Sequence, residues 1–374
     1  MKKISIAFIE LETHSALLEQ WYFLLKEMNG IDFHFFVHQK VKEKLTGIPE
    51  IAITLVLNAS EIDPQIDDFD AVIVNTFHRN FEQYQYIFRN KPTLILIHNI
   101  NFSLFFKKLN LKNIWLEKER FVYYLKLYFL EKISSNRKFI QNASNYGVLS
   151  PNLLETIASK NSNLSLNTQV VSLNYCKKSS FKTSKSIHIV MPGNVSRKRK
   201  DIDLVFDVIA GLNPKSKLQF TFLGKPESNE ILNRIEKLKV TCHQNITIQY
   251  YSKFIPWEEY SDVISKSHLL LCPIKSKTSF YWVDEVYGKT KVSGAETDCI
   301  YNGKVGLFPQ TYPKMHWHNL YYENSVDLSF ILNELTLENL EMEYQKLDRY
   351  LDDYSFEKVK NKLENQLLEL AKAQ

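Results

Sequence analysis

The feature that most limits what this chain can become is an alternation of two patterns. Short unbroken apolar runs, "ISIAFI" (4–9), "IDFHFFVH" (31–38), "DAVIVNTF" (70–77) and "TLILIHNI" (93–100), are separated by stretches with helical spacing such as "SALLEQWYFLLKEM" (15–28). A strand with one wet face alternates apolar and polar residues, whereas an unbroken run implies cover on both faces. Such strands interleaved with helices imply a parallel sheet with right-handed crossovers. "NYGVLSPNLLETIAS" (145–159) continues the pattern: a strand, then a helix with Ser150 as N-cap and Pro151 at its first position.

The alternation restarts after "CKKSSFKTSKS" (176–186), a polar stretch without periodicity that reads as a linker. "IHIVMPG", "KLQFTFLG" (217–224), "ITIQYY" (246–251) and "HLLLCPI" (268–274) are again apolar runs, and an amphipathic helical stretch follows to the C-terminus. A chain of 374 residues is too long for one ordinary core. The expected architecture is α/β, with two doubly wound Rossmann-like domains, 1–178 and 186–340, facing a cleft. Helices over 341–374 are expected to pack back toward the N-terminal domain.

Composition removes several function classes. With 44% hydrophobic and 24% charged residues and a formal charge of +5, this is a globular chain and not a dedicated nucleic-acid binder. Cys176, Cys242, Cys272 and Cys299 lie far apart with no C-x-x-C pair. That spacing argues against zinc and a disulfide framework and favours a cytoplasmic location. "MKKISIAFIELETH" reads as a first buried strand, not a leader, and no apolar run nears the roughly 18 residues of a membrane span.

In parallel sheets ligands bind beyond the carboxyl ends of the strands, which directs attention to a few stretches. "HIVMPGNVSRKRKDIDLVFDVI" (188–209) has a Gly turn at Gly193, the cations Arg197 to Lys200, and then a helix opened by Asp201 and Asp203. Positioned Arg and Lys suit a diphosphate; alone, the run also fits a solvated loop. "WVDEVYGKTKVSGAETDCIYNGKVGLFP" (282–309) offers Lys289, Thr290, Lys291, Ser293 and Gly294 at the opening of a helix, a second anion-cradling turn. Asp298 or Glu296, a turn further on, suits a vicinal diol such as a ribose. His316 and His318 have metal-like spacing but no third ligand nearby, so no metal is expected.

These stretches resemble the donor-binding domain of GT-B-fold glycosyltransferases, in particular the retaining enzymes of glycosyltransferase family four. In that family a strand ends in a Gly turn, and a Lys, often with an Arg, grips the donor diphosphate. Gly193, Arg199 and Lys200 fall at those places, and Gly224 of "FTFLGKP" resembles the next strand-ending Gly. The chain departs from the pattern with Asn194 after the Gly and Asp201 after the Lys. The family signature pairs two Glu residues eight apart; Glu285 and Gly288 match its front half, but position 293 is Ser. Counting back from Gly303 instead makes Asp298 the second carboxylate. The resemblance implies His98, ending "TLILIH", beside the reacting sugar with Glu285, and places His14 and Asn99 on the acceptor side.

The resemblance implies a metal-independent, retaining glycosyltransferase that uses a nucleotide-sugar as substrate, needs no cofactor, and serves a glycan or lipid-linked acceptor in surface polysaccharide or lipopolysaccharide synthesis. A GT-B-like nucleotide-sugar epimerase and a non-catalytic nucleotide- or sugar-binding protein remain open alternatives. Residues 102–139 mix Phe, Trp, Tyr and Leu with Lys and Arg. Such a segment fits either helices packed on the N-terminal sheet or a peripheral contact with an anionic membrane surface at its inner face.

Overall fold

A computed structural model describes residues 3–105, 121–177, 181, 183–253 and 255–372. The chain divides into two compact units. The first takes in the chain up to Leu173, together with Ser279–Val292 and the segment from Phe356 onward; the second comprises Asn174–Thr278 and Ser293–Ser355. Part of the expected linker (178–180 and 182) and of the basic aromatic segment (106–120) lies outside the described residues.

The first unit is built on β1 (Ile4–Glu10), β2 (Ile31–Val37), β3 (Ile53–Leu55), β4 (Ala71–Val74), β5 (Thr93–Leu96), β6 (Asn145–Val148) and β7 (Thr168–Val170). Their order in the sheet is β3-β2-β1-β4-β5-β6-β7, and every pair is parallel. β4 and β5 are buried at every position, as the unbroken apolar runs require. Trp21 of the helix Ser15–Leu25 is fully buried and packs on Phe8 with ring centroids 5.0 Å apart.

The second unit holds β8 (Ile187–Pro192), β9 (Leu218–Leu223), β10 (Ile246–Tyr250) and β11 (Leu269–Leu271). A hairpin of β12 (Lys277–Phe280) and β13 (Val283–Val286) follows, then β14 (Gly306–Pro309) and β15 (Asn319–Tyr322). The sheet order β10-β9-β8-β11-β14-β15 repeats the order of the first unit over six strands. In each sheet the order reverses beside the first strand, between β1 and β4 and between β8 and β11. Those reversals are where α/β sheets leave a crevice for ligands.

Several sequence expectations change. β3, β7 and the hairpin had no clear local signal, because they are only partly buried and mix polar with apolar residues. Residues 279–292, expected in the second domain, group with the first unit. Phe280 contacts the Phe102 ring and Trp282 the rings of Tyr124 and Tyr128, so aromatic packing decides their place. The C-terminal stretch breaks after Leu351 into two helices; Leu337–Leu351 stays with the second unit and only Phe356–Lys372 joins the first. Ser150 sits at the N-cap position, but its side chain makes no capping bond; Pro151 occupies the first turn as expected.

Candidate active site

In the first unit the ends of β1, β4 and β5 converge on a polar cluster. Glu10, the last residue of β1, is 0% exposed, and its carboxylate is saturated. One oxygen accepts the backbone N–H of Glu12 (2.7 Å) and Thr13 (3.1 Å); the other accepts Asn75 Nδ2 (2.7 Å) and Thr76 Oγ1 (2.5 Å). Asn75 Oδ1 accepts the indole N–H of Trp21 at 3.2 Å. His98 Nε2 lies 2.7 Å from the Asn75 carbonyl. A carbonyl only accepts, so Nε2 carries the proton and the neutral ring keeps a lone pair on Nδ1. The His14 ring stacks on it, with centroids 4.1 Å apart and planes 10° from parallel.

Glu285, at the end of the hairpin, reaches the same unit from another side. Its carboxylate accepts the backbone N–H of Phe102 (2.8 Å) and Asn101 (3.3 Å) at the start of the short helix Ile100–Ser103. Burial nevertheless pushes it up to about 7, against the opposing hydrogen bonds from Thr290, Phe102 and Asn101. Thr290 is buried, and its hydroxyl also accepts the Val286 N–H at 2.7 Å, closing a turn around Gly288, whose φ is +75°. Lys291 sits over the Phe280 ring at 5.3 Å. Lys289, Thr290 and Lys291, expected as donor groups of the second domain, thus group with the first unit. Asn99 is buried, and its Oδ1 has no hydrogen-bond partner among the described residues.

In the second unit the Gly193 turn follows β8. Gly193 has φ +72°, a conformation that suits glycine. Gly224, after β9, lies against it: a Cβ there would meet the Gly193 carbonyl at 2.5 Å. The four cations of the loop separate sharply. Arg197 pairs with Asp203 (2.9 Å) and Glu230 (2.7 Å), and Asp203 also pairs with Arg234. Lys200 is buried, and its ammonium donates to the carbonyls of Pro192 (2.5 Å), Gly193 (2.7 Å) and Asn194 (2.8 Å). Three donors meet three acceptors, so the side chain stitches the turn together. Burial lowers its pKa to about 8. Arg199 is exposed and forms no ion pair among the described residues. Asp201 stands at the helix N-cap without a side-chain capping bond.

Asp298 accepts the Tyr260 hydroxyl at 2.8 Å. Burial raises its carboxyl to about 6, while Tyr260 and Lys200 act the other way. Glu296 is buried and bonded to Tyr312 (2.8 Å), its pKa also raised by burial, to about 7. Ser293 caps the helix Gly294–Tyr301 by accepting the Ala295 N–H at 3.3 Å, and Gly303, with φ +58°, ends it. Tyr260 is the site neighbour for which the sequence carried the least signal; Glu10 and Asn75 stand at strand ends, where a ligand site in a parallel sheet is expected. His316 and His318 face Asp353 (3.0 Å) and Glu343 (2.6 Å). Among the described residues no cluster of three or more His, Cys, Asp or Glu has metal-binding geometry.

The buried titratable groups make a pH prediction. Burial first of all lowers His14 and His188 to about 4 and His78 and His98 to about 3. The unfolded chain takes up those protons near pH 6.5, so stability present above that value is lost as pH falls toward 4. Glu285, Glu296 and Asp298 act oppositely, because folded they bind protons first. Four histidines, displaced as far or further than three carboxyls, decide the sign. The melting temperature is expected to drop between about pH 6.5 and 4; a rise on acidification over that range would contradict this assignment.

Comparison with known proteins fits this layout. A family model described as the starch synthase catalytic domain matches residues 55–169, within the first unit. No curated protein sequence matches the chain. Among solved structures, a glycosyltransferase from Rickettsia africae is similar with a TM-score of 0.65 at 11% identity, covering 100% of both chains. Anabaena Alr3699/HepE, in complex with UDP and glucose, gives 0.61 at 11% identity over 98% of this chain and 100% of that one. The lipopolysaccharide outer core galactosyltransferase WaaB gives 0.56 at 11% identity over 98% and 99%. The chain has the GT-B fold. Both halves of a GT-B protein are Rossmann-like sheets, which accounts for the strand order that appears twice here. At these identities the likeness speaks for the fold, and chemistry has to be argued from the residues themselves.

Proposed function

We propose that this GT-B protein is a glycosyltransferase that moves a sugar from a nucleotide-sugar donor to a glycan or lipid-linked acceptor in surface polysaccharide or lipopolysaccharide synthesis. The observation that carries the reading is the turn after β8, at the strand-order reversal, with Gly193 closed on Gly224 and Arg199 left exposed. The bound UDP and glucose of the structurally similar HepE support a nucleotide-sugar as the ligand class.

The chemistry is leaving-group stabilisation. As the bond from the sugar C1 to the diphosphate oxygen breaks, negative charge grows on the departing phosphate. The Arg199 guanidinium and the N-terminal N–H groups of the helix Gly294–Tyr301 stabilise that charge more strongly in the transition state than in the ground state. Lys200 holds the carbonyls of its turn inward, and the Asp298 carboxyl accepts from the ribose. In the first unit His98 lies beside the reacting sugar, Glu285 supports it, and the open acceptor of Asn99 takes a hydroxyl, with His14 flanking. The reaction retains anomeric configuration and needs no metal in this reading.

Incubation with a panel of nucleotide sugars tests it. Slow donor hydrolysis without acceptor, and transfer with one, are expected. A new nucleotide sugar would instead mark an epimerase, and binding without turnover a non-catalytic protein, a reading favoured by the complete internal use of the Lys200 ammonium. Arg199→Ala is expected to weaken donor binding about tenfold, the loss of one charge-assisted hydrogen bond; unchanged affinity in calorimetry removes its diphosphate role.

The acceptor side of the proposal includes an anionic bilayer. On the helix Phe121–Phe129 and just beyond it, Val122 (77%), Phe129 (65%) and Leu130 (75%) are exposed, with exposed Lys126, Lys132 and Lys138 nearby. Apolar side chains interleaved with cations match an anionic interface. Among the described residues no helix is long and apolar enough to span a membrane. The double variant Phe129→Glu, Leu130→Glu is expected to cut flotation with anionic liposomes at least about fivefold; wild-type protein that never floats with them removes the membrane partner.

A further inference from the structure

Glu10 has no place in the chemistry above, yet its buried carboxylate accepts four hydrogen bonds. Burying a carboxylate at zero exposure is costly unless every lone pair is met. Here four donors meet it, and they come from two different loops: Glu12 and Thr13 after β1, Asn75 and Thr76 after β4. The first loop leads directly into His14. The second supplies the carbonyl to which His98 donates.

We propose that Glu10 is a positioning residue for His98, locking the Asn75 peptide and side chain so that His98 is held as the Nε2–H tautomer, stacked on His14. The chain of contacts has no slack. Trp21 Nε1 donates to Asn75 Oδ1, so the amide cannot turn over, and its Nδ2 must face an acceptor. Only a carboxylate at position 10 accepts from the Glu12 and Thr13 amides and from the Asn75 amide at once. With Asn75 fixed, its carbonyl accepts the His98 Nε2–H, and among the described residues no donor meets the Nδ1 lone pair. The inference rests on the proposed role of His98 for its effect on transfer, but its structural part does not.

Glu10→Gln tests this. Glutamine keeps an oxygen for the two loop amides but turns an NH2 toward the NH2 of Asn75, and two donors cannot pair. In protein labelled with 15N-histidine, the His98 ring signals are expected to leave the pure Nε2–H pattern. The kcat of transfer is expected to fall between about 10- and 100-fold, with the donor KM within about twofold. The double variant Glu10→Gln, Asn75→Asp is expected to restore both readouts, because an aspartate at 75 accepts from the glutamine NH2 and from Trp21 together and returns the lost charge. The single variant's thermal melt separates misfolding from repositioning, and if the single variant does not fold, the double variant alone decides. His98 signals that stay in the wild-type pattern in Glu10→Gln, or stay disturbed in a folded double variant, would overturn the proposal. A fully active His98→Ala would remove the catalytic reading of His98, and the NMR result would then decide the role of Glu10 by itself.

Discussion

Gly224→Ala is expected to cost about 3 kcal/mol of stability and to abolish measurable binding of a nucleoside diphosphate. A Cβ at this position would stand 2.5 Å from both the carbonyl carbon and oxygen of Gly193 and 2.7 Å from the Asn194 nitrogen. Those are backbone atoms, so no side chain can swing away to make room. The turn they belong to is also held by Lys200 through three carbonyls, and shifting it breaks that arrangement. Thermal melts and calorimetry with UDP measure the two effects. Gly211→Ala, at the far end of the helix Ile202–Gly211, is the control: a Cβ there meets nothing within 4 Å, and φ lies outside the left-handed region. A Gly224→Ala protein that melts and binds like wild type would remove the close approach of the two turns.

His98→Ala is expected to lower the kcat of transfer by about 100-fold or more while the melting temperature changes little. Among the described residues the ring makes one hydrogen bond, to the Asn75 carbonyl, and one stacking contact, with His14. Losing a single hydrogen bond is worth about 1 kcal/mol, too small a change to unfold a unit with this much buried sheet. Burial keeps the ring neutral down to about pH 3, so its protonation contributes nothing to an acid limb of the rate profile above about pH 5. Wild-type turnover in a well-folded variant would retire the assignment. His316→Ala is the contrasting case: its partner is the exposed Asp353, and activity within about twofold of wild type is expected.

The strands were legible because their environment leaves a mark on adjacent residues. A strand covered on both faces reads as a near-continuous apolar run: β4 and β11 are apolar at every position, β1, β5 and β8 nearly so, and β9 keeps a buried apolar end despite Gln219 and Thr221. Glycines needing a left-handed backbone are legible for a related reason, and Gly193, Gly288 and Gly303 of the family-like pattern all have positive φ. What spacing does not carry is the identity of distant partners. A lysine seven residues after a Gly turn looks like a phosphate ligand, yet the chain folds its ammonium back onto three carbonyls. Arg197 looks equally available until Glu230 arrives from the next helix. Glu10 reads as the polar end of a strand, and its burial makes sense only once Asn75 and Thr76 stand beside it. The hairpin at 277–286 interrupts the expected donor stretch, and the aromatic partners that assign it to the first unit lie more than a hundred residues upstream.

The most direct test of the proposed function is a crystal structure of the protein with UDP bound. The nucleotide is expected in the second unit, its diphosphate against the Gly193 turn and Arg199 and the opening of the helix at Gly294, its ribose at Asp298. A nucleotide seated away from both turns, with residues 193–200 and 293–298 untouched, would contradict the proposal.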